Sequence, residues 1–189
     1  MRKSRDQILK SSYSGSDNFP PDRFRQVFRS HAAGVCLVTA ESGGRLAALT
    51  VTSVSSVSAE PPVFAFSLSA LSSAAVHVAR ADSVVVHMLD ERSIDLALLG
   101  ARSGVDRFAN TDGWRRLPTG EPVFCGARTW LRGQVFERII IGESTIIIAG
   151  AVESSLDDDS EHEEEARPLP LVYYDRAWHS VGDHSRINN

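Results

Sequence analysis

One segment, residues 46–69, constrains the fold more than any other part of the sequence; it reads LAALTVTSVSSVSAEPPVFAFSLS. Its two halves are rich in β-branched and small residues, which favour strands. Pro61 and Pro62 lie between the halves and cannot donate to a β-ladder, so we expect a turn there and a strand over residues 63–68. The first half carries more hydroxyls than a buried strand needs, which indicates either a ligand with many acceptors or the solvated face of an edge strand. These hydroxyls belong to Thr50, Thr52, Ser53, Ser55, Ser56 and Ser58.

The rest of the chain predicts further short strands and a few short helices. A helix over residues 22–29, begun by Asp22, has one apolar face made by Phe24, Val27 and Phe28, which we expect to pack against the sheet. Two more helices are predicted over residues 72–80, capped by Ser72, and over residues 91–100, ended by Gly100. The remaining predicted strands cover residues 34–40, 45–52, 83–89, 127–141, 144–154, 171–174 and 178–181, with hairpin turns at Gly43-Gly44 and Gly142-Glu143.

The order of these elements indicates the fold class. Many short strands without regular βαβ alternation favour an antiparallel barrel or sandwich with helical additions, and periodicity alone leaves both open. The length fits a single domain, for which we predict residues 22–182, preceded by a flexible leader over residues 1–21 and followed by a tail over residues 183–189.

Composition and charge limit the kinds of partner that this protein is expected to bind. The formal net charge is −4, which offers no basic face for nucleic acid. The sequence has no apolar run of the length that a membrane helix needs and no signal-peptide pattern, so we predict a soluble, cytoplasmic protein without a membrane partner. Cys36 and Cys125 both stand in apolar runs and are interpreted as buried free thiols. The acidic run at residues 156–167 lacks the spacing of a calcium loop and is interpreted as a solvated loop, so no metal site is predicted.

Two blocks of sequence resemble the flavin reductase-like family. The run AAGVCLVTA at residues 32–40 is similar to the family's Gly-Val-x-Val-Val-Thr strand, and residues 48–62 are similar to its Gly-x-Thr-x-x-Ser-x-x-Ser-Val-Ser-x-x-Pro-Pro block, with Ala48 in place of the glycine. The resemblance extends from about residue 24 to about residue 181. It implies a mainly β fold, an antiparallel Greek-key split β-barrel that binds FMN, with a few short helices, and it decides between barrel and sandwich.

The resemblance also implies a set of flavin-contacting residues. Residues 50–53 are expected to line the isoalloxazine ring and ribityl chain. The loop at residues 67–73 suits a phosphate through serine hydroxyls and backbone N–H groups, although simple capping by Ser72 explains part of the same pattern. Arg107 and Phe108 match an Arg-Phe pair of the family, for charge and stacking, or are simply a surface arginine beside a core phenylalanine. The predicted cofactor-binding residues are Thr50, Val51, Thr52, Ser53, Ser67, Ser69, Ser72, Ser73, Arg107 and Phe108.

One part of the sequence departs from the family pattern. Members have Gly-Asp-His before the strand that begins near residue 144, whereas this chain has Gly142, Glu143 and Ser144. A hydroxyl cannot stack or change charge near neutral pH as imidazole can, so the identity of the reductant is the property most affected. On the nicotinamide side we place Ser144, with Trp178 and His179 as weaker members of the set.

The resemblance implies an NAD(P)H-dependent reductase that supplies reduced FMN or FAD, with NADH or NADPH as reductant and a separate monooxygenase as partner. No catalytic side chain is predicted, because hydride passes between the two cofactors. The alternative is a flavin-binding carrier, sensor or electron-transfer protein without turnover. A heme- or pyridoxine-phosphate-handling protein is a third reading that the Ser/Thr block favours less. The resemblance further implies a homodimer.

Overall fold

The structure is a computed structural model that describes residues 19–70, 72–158 and 168–187. Most of the predicted leader, most of the acidic run and the last two residues of the tail therefore lie outside the described residues. The helices are α1 (Pro21–Arg29), α2 (Ala75–Arg80) and α3 (Ile94–Ala101), the last preceded by a 3₁₀ turn at Glu91–Ser93. The strands are β1 (Ala33–Gly34), β2 (Cys36–Ser42), β3 (Arg45–Val51), β4 (Ser55–Ala59), β5 (Pro62–Ser69), β6 (Ser83–Met88), β7 (Trp114–Arg116), β8 (Pro122–Phe124), β9 (Thr129–Ile141), β10 (Ser144–Ser154), β11 (Leu171–Tyr174) and β12 (Ala177–Ser180).

Antiparallel pairing dominates the described part of the chain, which confirms the prediction of a mainly β fold with short helices. Seven strands form one sheet in the order β3-β2-β6-β9-β10-β5-β4, and smaller sheets contain β1-β11-β12 and β7-β8. Within the described ranges no backbone ladder joins the edge strands β3 and β4. The Ser53 hydroxyl instead links the end of β3 to β5: it accepts from Ser67 N at 3.0 Å and donates to Ser67 O at 3.1 Å.

The large sheet is covered on both faces. Leu37 and Val38 are neighbours on β2 and are both fully buried, yet they belong to different apolar clusters. Side chains alternate between the two faces of a strand, so these two clusters lie on opposite sides of the sheet. One cluster contains Val38, Leu49, Phe66 and Ile147, and the other contains Leu37, Ala97 and Phe124. Among the described residues, no helix is long and apolar enough to cross a membrane.

The β2–β3 hairpin forms as the sequence predicts. Gly43 and Gly44 both have positive φ, at 60° and 80°. Two such residues in succession give the tight turn whose twist matches that of a right-twisted hairpin, and glycine adopts them without steric cost. This turn sets the register that pairs Leu37 with Thr50.

Helix α1 differs from the prediction in two ways. Asp22 does not cap it, because Pro20 is at the N-cap position without a side-chain hydrogen bond, and Asp22 pairs with Arg25 at 2.7 Å. Proline at the first helical position, Pro21, needs no N–H partner and starts the helix. The apolar face does not pack against the sheet either: Phe24 and Phe28 are 54% and 55% exposed.

Three further predictions are corrected. Ser72 does not cap α2, which begins at Ala75 with Ala74 at the N-cap position and no capping side chain. Cys125 is exposed and only Cys36 is buried, because Cys125 follows the end of β8 in a loop. The segment between residues 101 and 127, for which the sequence predicts no strand, contains strands β7 and β8, and residues 55–59 form a separate edge strand, β4.

A buried histidine holds the β7–β8 hairpin against the large sheet. Phe124 N donates to His87 Nε2 at 3.0 Å, and His87 Nδ1 lies 3.0 Å from the carbonyl oxygen of Leu37. An acceptor at Nε2 and a donor at Nδ1 define one neutral tautomer. Burial lowers the pKa of His87 to about 4, although the bond to Leu37 opposes this. Nearby, Thr39 Oγ1 donates to Pro122 O at 2.5 Å.

A buried ion pair anchors the other end of this hairpin. Glu121 is 1% exposed and accepts hydrogen bonds from the hydroxyls of Ser83 and Thr119 and from Arg132 Nε, the last at 2.8 Å. Burial by itself raises the pKa of the Glu121 carboxyl, but these hydrogen bonds and the charge of Arg132 outweigh it and hold the pKa below its usual value. The carboxylate is therefore charged and fully bonded, with a structural function.

Candidate functional site

The ends of β3 and β5, the C-terminal end of α3 and the first residue of β10 converge on one open cleft of about 540 Å³. This volume lies within the range of small-molecule and cofactor sites. The cleft is lined by Leu49, Thr50, Val51, Thr52, Ser53, Ser67, Leu68, Ser69, Ser72, Ser73, Gly100, Ala101, Ser103, Arg107 and Ser144. Segments far apart in sequence thus form one polar surface.

The predicted flavin-contacting residues meet at this cleft, with one exception. Residues 50–53, the four serines of the 67–73 loop and Arg107 all line it, and so does Ser144. Phe108 does not. The roles of these residues stay predictions, but the structure brings them together around a single opening.

Two of the hydroxyls at residues 50–53 are engaged within the protein. Thr50 Oγ1 donates to Ala97 O at 2.7 Å and so fixes α3 against β3. Ser53 bonds both backbone groups of Ser67, as described above. The hydroxyls of Thr52 and Ser73, by contrast, make no hydrogen bond within the described part of the chain. The motif therefore divides into hydroxyls that position the cleft walls and hydroxyls that are open to a ligand.

Arg107 is the one cation among the described residues that line the cleft. One terminal nitrogen of its guanidinium donates to Arg102 O, while its Nε is buried and has no partner among the described residues. Buried donors are nearly always satisfied in folded proteins, so an orphaned guanidinium N–H indicates a missing acceptor. A phosphate oxygen is the acceptor that arginine geometry fits well, and the residues present thus fit a phosphorylated ligand.

Gly100 has a function in the cleft that the sequence did not reveal. The sequence predicts it as a helix stop, but α3 continues to Ala101. A Cβ at Gly100 would collide with Leu37 Cδ1 and with Thr50 Oγ1. Only glycine lets the helix backbone approach β3 this closely, so the wall formed by the end of α3 depends on it. Ser103, which follows, was also missed because it stands outside any motif.

Ser144 is one of the residues that line the cleft. It is the first residue of β10 and pairs with Ile141 on β9 and with Ser69 on β5. Ala70 N donates to Glu143 O at 2.8 Å, which connects the β9–β10 turn to the loop after β5. The position that carries histidine in the family pattern therefore faces the proposed ligand site, with a hydroxyl in this chain.

The aromatic residues that the sequence predicts for the flavin and nicotinamide sites lie outside the cleft lining. Phe108 packs against Trp114 and Phe124, with ring centroids 5.2 Å and 5.5 Å away. Trp178 contacts Tyr173 at 4.8 Å between ring centroids and belongs to the three-stranded sheet. His179, beside it, is exposed. Neither Trp178 nor His179 is among the residues that line the cleft.

Comparison with a solved structure identifies the class of protein that this fold and cleft define. The crystal structure of a flavin reductase domain protein from Arthrobacter sp. FB24 matches with a TM-score of 0.75 at 30% sequence identity. The match covers 85% of this chain and 95% of that chain. The mainly β antiparallel architecture is therefore that of a flavin reductase domain.

The sequence comparisons identify the family. The family profile of the flavin reductase like domain matches residues 28–182. The NADH:FMN oxidoreductase of Rhodococcus qingshengii is 38% identical over 152 residues, which are 80% of this chain and 77% of that protein. The stachydrine N-demethylase reductase subunit Stc3 of Rhizobium meliloti is 28% identical over 134 residues, 70% of this chain and 58% of that protein. The chain belongs to the flavin reductase-like family.

Proposed function

We propose that the protein is a flavin reductase that uses NADH to reduce FMN bound in the cleft. The observation that carries this proposal is the meeting of the family's Ser/Thr block with Arg107 and its orphaned Nε at one opening. The 38% identity to an NADH:FMN oxidoreductase supports both the flavin and the reductant.

The residues of the cleft would bind and orient the flavin. Residues 49–53, at the end of β3 and just after it, hold the ring system along one wall, with Thr50 and Ser53 keeping that wall rigid through their bonds to Ala97 and Ser67. Arg107 and the hydroxyls of Ser72 and Ser73 hold the phosphate. Helix α2 has only six residues, so we assign the phosphate to these side chains and not to the helix terminus.

The flavin, when bound, supplies the hydride acceptor, and the nicotinamide supplies the hydride. The protein's task is to keep the two rings in contact, with the open hydroxyls of the cleft satisfying polar atoms at their edges. No acid or base is required of the side chains. This agrees with the described lining of the cleft, which contains serines, threonines and one arginine and lacks histidine and carboxylate side chains.

An anaerobic spectrum tests the proposal. Purified protein with FMN is titrated first with NADH and then with NADPH. Bleaching of the oxidised-flavin band over many equivalents of FMN is expected with NADH. Binding without bleaching by either nucleotide would favour the second candidate function, a flavin carrier or electron-transfer protein, which Ser144 in place of histidine supports. Absence of any flavin binding would contradict both.

The role of Arg107 has its own test. Arg107→Ala should raise the Kd of FMN at least tenfold, because a charge-assisted hydrogen bond to phosphate is worth about 1.5–3 kcal/mol. The Kd of riboflavin, which lacks the phosphate, should change less than twofold. Equal losses for both ligands would show that Arg107 acts on the cleft shape and does not bind the phosphate.

The proposal includes two partners. Reduced flavin would pass to a separate monooxygenase; the similarity to the reductase subunit of a demethylase supports a separate protein as the acceptor. A second copy of this chain would cover the exposed apolar face of α1, where Phe24, Val27 and Phe28 are each more than half exposed. Light scattering of the purified protein tests the dimer: a mass near 41 kDa, twice the 20.6 kDa of one chain, is expected.

We also propose that the protein is located in the cytoplasm, because nicotinamide nucleotides are abundant there.

A further inference from the structure

The loop between α3 and β7 is fixed by side-chain bonds next to the arginine of the cleft. Phe108 N donates to Asp106 Oδ1 at 2.9 Å, and Phe108 O accepts from the indole N–H of Trp114 at 3.2 Å. Both backbone polar groups of Phe108 are therefore bonded to side chains. A terminal nitrogen of the preceding residue, Arg107, donates to Arg102 O. The backbone after Arg107 and the guanidinium of Arg107 are thus held separately.

Trp114 reaches this loop from β7, of which it is the first residue. Its ring meets the Phe108 ring edge to face, with centroids 5.2 Å apart and an interplanar angle of 79°. The guanidinium carbon of Arg116 lies 5.8 Å from the centroid of the same indole. At this distance the ring attracts a cation. Ring contact and the nearby cation therefore both fix the orientation of the indole that donates to Phe108.

The β7–β8 hairpin that carries Trp114 is itself anchored in the core. Phe124 on β8 pairs with Trp114 on β7, and its backbone N–H is bonded to the buried ring of His87. The Phe124 ring also lies 5.5 Å from the Phe108 ring. The loop that contains Arg107 is therefore supported by the large sheet through this hairpin.

We propose that Trp114 is a positioning residue for flavin binding: its indole N–H holds the backbone beside Arg107, so that the guanidinium is in place for the flavin phosphate before the flavin binds. The inference rests on the proposed function, because that proposal assigns the phosphate to Arg107. Trp114 does not line the cleft, so it would act through Arg107 and not by contact with the ligand. A side chain that is already ordered loses less conformational freedom when the ligand binds.

Removal of the indole donor tests the inference. Trp114→Phe keeps an aromatic ring and removes the N–H, and Kd values for FMN and riboflavin are measured by quenching of flavin fluorescence. We expect the Kd of FMN to rise about fivefold, which is the scale of ordering one flexible side chain. The Kd of riboflavin, which lacks the phosphate, should change less than twofold. Because the phosphate is remote from the reacting ring, KM for FMN should rise and kcat should stay unchanged.

The same exchange elsewhere in the chain provides the matched control. Trp130 is 5% exposed, packs with Val85 and Leu117 in a separate apolar cluster and does not line the cleft. Trp130→Phe should lower the Tm, because it removes buried apolar surface. It should leave the ratio of the Kd values of riboflavin and FMN unchanged, which separates a loss of stability from a loss of phosphate binding.

A double-mutant cycle shows whether Trp114 acts through Arg107. In the Arg107→Ala protein, Trp114→Phe should leave the Kd of FMN unchanged, because no guanidinium remains to be positioned. Three results would overturn the inference and leave the flavin reductase proposal intact: an unchanged Kd of FMN in Trp114→Phe, an equal rise for FMN and riboflavin, or the same rise in the Arg107→Ala protein. Failure of the unaltered protein to bind FMN would overturn the proposed function itself.

Discussion

His87 should make the stability of the fold depend on pH in a predictable way. The folded protein holds it neutral, with a pKa of about 4 against 6.5 in the unfolded chain. The unfolded state therefore binds one more proton between these values, and stability falls as pH decreases through this window. At 1.36 kcal/mol per pKa unit the full loss is about 3 kcal/mol. Between pH 7.5 and 5.5, where few carboxylates titrate, the loss from His87 is about 1 kcal/mol.

Urea unfolding at the two pH values measures this effect. For a chain of this size, 1 kcal/mol corresponds to a decrease of about 0.5 M in the unfolding midpoint. His87→Gln removes the titrating group and should show a smaller pH dependence, although it is less stable at both pH values. His184→Gln, at an exposed histidine, serves as the control and should behave like the unaltered protein. If His87→Gln loses as much stability between pH 7.5 and 5.5 as the unaltered protein does, the buried neutral histidine is not the cause of the pH dependence.

Three further predictions concern the frame of the site. Gly100→Ala should destabilise the protein by about 1–3 kcal/mol and weaken FMN binding, because the added methyl forces α3 away from Thr50. Thermal unfolding measures the stability and an FMN titration measures the affinity. An unchanged Tm would contradict the close approach of α3 to β3. Thr50→Val should cost about 1 kcal/mol of stability, because the hydrogen bond to Ala97 is lost, and should leave the FMN Kd within twofold of that of the unaltered protein. A large loss of FMN affinity with no loss of stability would show that the hydroxyl bonds to the ligand instead. Arg132→Met should cost about 3–5 kcal/mol in urea unfolding because it leaves the buried Glu121 carboxylate unpaired, and a neutral result would show that the ion pair is dispensable.

Much of the fold could be predicted because the signals are local. Gly43-Gly44 allows a tight hairpin, and the predicted strands around residues 63–68, 83–89 and 144–154 correspond to β5, β6 and β10.

The residues that begin the helices are predicted less well from the sequence. Asp22 and Ser72 have the right chemistry for a cap, but the helices begin at Pro21 and Ala75. A cap depends on where the first turn closes, which the neighbouring elements determine and a single polar residue does not.

Exposure was the property that sequence patterns predicted worst. The apolar spacing of Phe24 and Phe28 predicted a helix correctly, yet the face remains exposed in the single chain. Cys125 follows a buried strand, β8, and nevertheless points to solvent. Periodicity states which residues share a face. It does not state what, if anything, covers that face.

The sequence by itself determined the chemistry of this protein: the family, the hydroxyl-rich block at residues 50–53, the arginine at position 107 and the replacement of histidine by Ser144 are all readable without coordinates. Only the tertiary structure decided how that chemistry is distributed. It commits the Thr50 hydroxyl to α3, leaves Arg107 Nε without an acceptor among the described residues, and packs Phe108 against Trp114 and Phe124 outside the cleft lining. The physical reason is that hydrogen-bond partners and cavity walls come from segments distant in sequence, so the packing of β3 against α3 and β5 decides which groups remain open to a ligand.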